Sequence, residues 1–252
     1  MLEQPLHAEQ RVVFCNTGLE ASETLDFVAE CSERWRIPIT WLEYRTGQRF
    51  EVVTHETAAR DGRPFSELIA DRGFLPNPRM RFCTSELKVR TVERWAAQFA
   101  EYADGFDSVV GIRADEPARV ARMRARAGTN REGGLGDPVL PLATLGVAAA
   151  DVQAFWGNQP FGLRLASHGA KTFSGNCVLC FMKPHAQVQS LIRARPEAAE
   201  WWIAAESRFG AGSAATFRND RPRYSELAKG NRVADMFGFE DTAPACFCGD
   251  DA

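Results

Sequence analysis

The sequence predicts an α/β protein built on a parallel sheet, and three stretches carry that prediction. Residues 11–16 (Arg-Val-Val-Phe-Cys-Asn) read as a buried strand, and residues 37–44 (Ile-Pro-Ile-Thr-Trp-Leu-Glu-Tyr) as a second. Between them Leu25, Val28, Cys31 and Trp35 recur at helical spacing with charges interspersed. Strand, helix, strand with short connections is the βαβ unit of a parallel sheet.

Each further element follows from local pattern. Thr17 and Glu20 have the spacing of a capping box ahead of the first helix, and Pro38 is expected to end it. Phe50-Glu51-Val52-Val53 reads as a short strand, and residues 65–72 as a short helix. Gly73, Pro76 and Pro78 break the chain. From Ser85 to Tyr102 the residues Leu87, Val89, Val92, Trp95, Phe99 and Tyr102 form one apolar helical face. Residues 107–113 read as a third strand, delivering Arg113, Asp115 and Glu116 at its C-terminal end, the edge where open parallel sheets bind ligands. A glycine-rich loop (128–138), a short helix (148–157), a helix over 186–194, an aromatic helix over 196–209, a break at 210–213 and a short helix from Ser225 complete the pass.

Composition bounds the function. At 252 residues, 45% hydrophobic and 25% charged, the chain is one large domain or a domain with an elaborated C-terminal part. A net charge of −3 gives the whole molecule no electrostatic reason to seek nucleic acid or membrane. No run approaches the ~18 apolar residues of a membrane span, and no signal peptide is seen at Met1-Leu2-Glu3-Gln4-Pro5. Seven cysteines, an odd number without a secretory signal, argue for reduced thiols in the cytoplasm and for metal over disulfides.

Three cysteine stretches are candidate metal ligands. Cys83 opens a helical pattern, where backbone N–H groups favour a thiolate. Cys177-Val178-Leu179-Cys180 places two sulfurs within reach of one metal or of adjacent irons. Cys246-Phe247-Cys248 supplies the fourth ligand, with Cys248 favoured over Cys246 because Gly249 permits a tight turn; His185 is an alternative. Four thiolates suit zinc or an iron–sulfur cluster. The plain alternative is a set of buried cysteines, and Cys15 and Cys31 are read that way. Thr17 and Gly18 follow a strand, where backbone N–H groups can meet a ligand. Arg113 could pair with phosphate or sulfate through its planar fork, or simply with Asp115 or Glu116. Lys88 and Arg81 flank Cys83 and could add charge, or lie on a solvated face. Arg119, Arg122, Arg124 and Arg126 could hold a nucleic-acid backbone, though such a run is more often a solvated helix face. Trp201 and Trp202 are expected in the core rather than as a stacking platform.

With those residues in hand, the chain resembles the phosphoadenosine phosphosulfate reductase family. Val12-Val13-Phe14-Cys15-Asn16-Thr17-Gly18-Leu19-Glu20 is similar to that family's second-strand motif. Cys83-Thr84-Ser85-Glu86-Leu87-Lys88 is similar to its Cys-x-x-x-Leu-Lys helix start, and Val110-Gly111-Ile112-Arg113-Ala114-Asp115-Glu116 to its Gly-x-Arg strand end. The Cys177 pair with the cysteine tail resembles the iron–sulfur branches, which include proteins that place sulfur in the DNA backbone.

The resemblance implies a parallel sheet of the adenine nucleotide alpha-hydrolase-like (Rossmann-like) type. It implies a nucleotide-binding part over residues 1–145 and a helical, cysteine-bearing part over residues 146–252. It also implies an adenine nucleotide or adenylated substrate at Thr17, Gly18, Lys88 and Arg113, and a 4Fe-4S cluster rather than zinc at Cys83, Cys177, Cys180 and Cys248. The implied chemistry is reduction or sulfur transfer. The family also opens with a Ser-Gly-Gly-Lys-Asp-Ser phosphate loop on a strand before the Asn16-Thr17-Gly18 strand. Ten residues precede residue 11 here and none fits. Two expectations follow: a shortened reading frame, or a member without the loop, with a partner chain supplying it. A homo-oligomer and a nucleic-acid partner remain open. The alternative function is a catalytically inactive or regulatory nucleotide- or nucleic-acid-binding module with a structural metal site.

Overall fold

The computed structural model describes residues 10–125, 135–168, 171–209 and 215–229. Cys246, Cys248, Arg126, the 210–213 break and most of the glycine-rich loop lie outside them. The chain is mixed α/β. Strand β1 (Val12–Asn16) leads through helix α1 (Ser22–Trp35) to β2 (Ile39–Glu43), and the strands pair in parallel from Val12↔Ile39 to Asn16↔Glu43. β3 (Glu51–Val53) adds antiparallel to β2. Thr17 and Glu20 do join, the Glu20 carboxylate accepting from the Thr17 N–H at 3.0 Å. They close the loop ahead of α1 rather than its cap, because the helix begins after Ala21. The end of α1 is set before Pro38. Arg36 turns left-handed (φ 53°), and its N–H and that of Ile37 return to Glu33 and Ser32 carbonyls.

After α2 (Arg63–Arg72), the expected single helix from Ser85 arrives in pieces: α3 (Phe82–Thr84), a π-helical turn (Ser85–Arg90), α4 (Thr91–Ala96) and a 3-10 turn (Ala100–Tyr102). The wide π turn re-phases the apolar stripe. Phe82 before it and Leu87 within it enter one core with Phe65, Phe181 and Trp202. After it, Trp95 and Ala96, with Val92, Phe99 and Tyr102, enter another with Leu42, Val13 and Cys15.

The third strand, β4 (Phe106–Val109), pairs in parallel with β5 (Leu135–Val139) after α5 (Pro117–Ala125). Among the described residues it forms no ladder with β1, although Phe106 packs on the same apolar cluster as Val13 and Cys15. α6 (Pro141–Thr144) and α7 (Ala149–Gly157) follow, then the short pair β6 (Ser167–His168) and β7 (Lys171–Thr172), and then α8 (His185–Ala194), α9 (Glu200–Arg208) and α10 (Tyr224–Lys229). The largest core cluster draws Tyr44, Phe65 and Leu75 from before residue 145 and Leu179, Trp202 and Phe217 from after it. Trp202 is fully buried there, and Trp201 donates to Ser66 at 2.9 Å, so the aromatic helix is packing surface.

Candidate metal centre

The candidate site forms where the loop after β1 meets two other chain segments. Parallel pairing leaves Asn16 and Glu43 side by side at the C-terminal ends of β1 and β2. Both are fully buried, and a buried carboxylate has to be satisfied. Glu43 accepts from Asn16 at 2.6 Å, from the Ala59 N–H at 2.6 Å and from Arg45 at 2.5 Å. That network fixes the turn Thr17-Gly18-Leu19. Gly18 sits at φ +79°, and a Cβ there would stand 2.9 Å from the Gly62 Cα. The Gly62 N–H donates to the Gly18 carbonyl at 2.9 Å. Gly18 is therefore a point of close backbone approach, and it is absent from the residues that line the cleft.

The Cys177–Cys180 turn docks on the same loop. Glu20 and Cys177 form an isolated antiparallel bridge, and the Val178 N–H donates to the Leu19 carbonyl at 2.9 Å. The Thr17 hydroxyl lies 3.3 Å from the Cys177 sulfur and 2.8 Å from the Glu20 carboxylate. The Cys180 N–H closes the turn on the Cys177 carbonyl at 3.2 Å. Cys83, in the first helical turn after Arg81, comes in from the other side. Thr17, Cys83, Cys177 and Cys180 line one open cleft, with Arg81 and Lys88 on its wall and Phe65, Leu87, Phe181, Met182 and Trp202 as apolar lining.

The cleft's electrostatics follow from this packing. Burial pushes the Cys177 thiol well above its ordinary value, and Glu20 and Cys180 push it further; Lys88 and the Thr17 hydrogen bond act in the opposite sense. Among the described residues no group of three or more His, Cys, Asp or Glu side chains is arranged to hold a metal ion. By chemistry alone, three thiols on one cleft with apolar lining and two cations nearby are the donor types a soft metal or a cluster would take.

The other sequence candidates fall elsewhere. Arg113 does not line the cleft. Its Nε donates to Asp115 at 2.9 Å, and its guanidinium stands 3.5 Å from Glu116. Asp115 also accepts the Ala149 N–H at 3.1 Å, at the start of α7; β4 ends at Val109, short of the expected residue 113, so Arg113 sits in the loop beyond it, folded onto neighbouring carboxylates. His185 opens α8 and is absent from the cleft lining. Arg122 and Arg124 are exposed on α5, whereas Arg119 pairs with Glu116 at 2.6 Å. Cys31 is buried in α1, away from the cleft, and Cys15 lies within β1 against the Trp95 cluster, its sulfur 3.8 Å from the Lys88 carbonyl. Sequence reasoning missed two residues that build the site. Glu20 closes the Thr17 loop, and Tyr224 donates to the Leu179 carbonyl between the two cysteines at 2.6 Å. Glu20 was legible as half of a capping pair, but Tyr224 carries no local signal.

No family model matches the chain, and no solved structure matches it. The chain is similar to an uncharacterized nin region protein of Escherichia phage lambda, at 29% identity over 200 residues that cover 73% of this chain. The match spans about 60% of that protein's length.

Proposed function

We propose that the chain is a phosphoadenosine phosphosulfate reductase-like protein that holds a 4Fe-4S cluster on Cys83, Cys177, Cys180 and a tail cysteine, Cys248 or Cys246. The cluster lies beside an adenine nucleotide or adenylated substrate. One observation carries the reading: three distant cysteine stretches were expected at one metal, and the two that are described, Cys83 and the Cys177–Cys180 pair, line one cleft. α10 begins at Tyr224, whose hydroxyl meets the Leu179 carbonyl of the Cys177–Cys180 turn. A bound cluster would supply electrons or a site for sulfur. The chain's own residues would exclude water through Phe65, Phe181 and Trp202, and offset the thiolate charge through Lys88 and Arg81. Thr17 would present its hydroxyl to the Cys177 sulfur.

The edge of β1 supports a Rossmann-like sheet. Val12–Cys15 is covered on both faces, by Trp41 and α1 on one side and by the Trp95 cluster on the other, as in an interior strand. Yet among the described residues β1 pairs only with β2. A further parallel strand bearing a phosphate loop, from this polypeptide or a partner chain, fits that edge.

The test is iron, zinc and acid-labile sulfide on anaerobically purified protein, with titration by adenosine phosphates. About four irons and four sulfides per chain are expected, with saturable nucleotide binding. Absence of metal from anaerobically prepared protein would overturn the reading. A second reading is a binding module with a structural zinc. It is favoured by Arg113 and Gly18, which are engaged in packing rather than turned to the cleft. One zinc and no saturable nucleotide signal would establish it.

A further inference from the structure

The Cys177–Cys180 turn is held from behind by residues that the proposed ligand set does not include. Tyr224, 1% exposed, stacks on Trp202 with ring centroids 5.1 Å apart. Its hydroxyl donates to the Leu179 carbonyl at 2.6 Å and accepts from Arg221 Nη2 at 2.8 Å. Arg221 Nη1 reaches the Lys183 carbonyl at 3.2 Å, and Lys183 Nζ donates to the Gly175 carbonyl at 2.5 Å. The Lys183 N–H donates to the Cys180 carbonyl at 2.9 Å. Both sides of the dithiol turn, residues 175 and 183, are therefore tied into one hydrogen-bonded chain that runs through Tyr224. The chain is itself anchored. Buried Glu206 on α9 accepts the Tyr224 N–H at 2.8 Å and the Phe217 N–H at 3.4 Å.

We infer that Tyr224, backed by Arg221, is a positioning residue for the dithiol turn, fixing Cys177 and Cys180 in the cleft before any metal arrives. The geometry suits that role better than general packing. The ring would fill its site equally well as phenylalanine, whereas the hydroxyl meets the carbonyl of Leu179, the residue just before Cys180 in the dithiol turn. A buried carbonyl deprived of its donor lowers the cost of opening the turn. A thiol on a buried turn reacts with reagents through such local openings, and these are separable from global unfolding. As far as the turn serves a metal, the inference rests on the proposed function; the preorganisation of the two thiols does not.

The test uses reduced, metal-free full-length protein, labelled with an aromatic disulfide reagent and followed cysteine by cysteine by mass spectrometry. Tyr224→Phe is expected to label Cys177 and Cys180 about tenfold faster than the parent, while Cys31, buried in α1, keeps its rate. An unchanged rate at Cys177 and Cys180 overturns the inference. So does an equal acceleration at Cys31, which marks general loosening. Should Tyr224→Phe fail to fold, Arg221→Gln carries the same comparison, with an expected acceleration of about threefold. A parallel arm measures chelator-driven metal release from protein as purified, expected about tenfold faster in Tyr224→Phe. A protein that carries no metal fails the proposed function and leaves the labelling result to decide the clamp.

Discussion

The thiols were expected at a metal and Arg113 at a nucleotide beside it, and the fold treats the two regions in opposite ways. At the cleft, Thr17, Cys83, Cys177 and Cys180 come together from separate segments. At the strand end, Arg113 turns back on Asp115 and Glu116, its neighbours in sequence, and Asp115 also caps α7. A guanidinium with carboxylates two and three residues away finds local partners as soon as the strand ends. A buried cysteine has no comparable local partner. Packing decides where its sulfur goes, and here packing sends three of them to one place.

The sharpest way to break this comparison is to remove the sulfurs. Cys83→Ser, Cys177→Ser and Cys180→Ser should each lose nearly all iron and sulfide, whereas Cys15→Ser and Cys31→Ser keep both. Retention of iron in Cys177→Ser would undo the cleft. A smaller but still large effect is expected where the cleft's loop is pinned. Gly18→Ala places a Cβ 2.9 Å from the Gly62 backbone at positive φ, and urea unfolding should show a loss of about 3 kcal/mol.

Arg113→Ala should leave metal content unchanged and cost at most about 1 kcal/mol, because its ion pairs are partly exposed. Loss of nucleotide affinity in that variant, with metal intact, would show that the strand end opens to the ligand after all. The smallest effect concerns the tie between the two halves of the chain. Arg195 holds the Glu23 carboxyl down at about 2. A depressed carboxylate contributes stability above its unfolded value near 4.5, and this is lost as pH falls from 4.5 towards 2. Both groups are partly exposed, so Glu23→Gln should flatten the acid limb of the stability curve by only about 0.5 kcal/mol.

How much of this was legible follows from the range of each signal. The βαβ start was readable because period and turn chemistry act within a few residues, and β1, α1 and β2 fall where the pattern puts them. The long helix from Ser85 was read as continuous because its apolar positions fit one stripe. The π turn that splits the stripe between two cores answers to tertiary packing at Leu87 and Trp95. The capping pair Thr17–Glu20 forms its hydrogen bonds but in service of a loop, since the helix starts later, after buried Ala21.

By itself the sequence determined the α/β order, the core role of Trp202 and the set of thiols able to take a soft metal. These depend on periodicity, hydrophobicity and side-chain chemistry, which are local. Only the tertiary structure decided that Thr17 meets Cys177 across 160 residues, that Gly18 packs against Gly62, and that Tyr224 backs the dithiol turn. Those contacts exist because one apolar core, from Tyr44 to Leu227, draws distant segments together, and the polar groups at its edge must then satisfy one another.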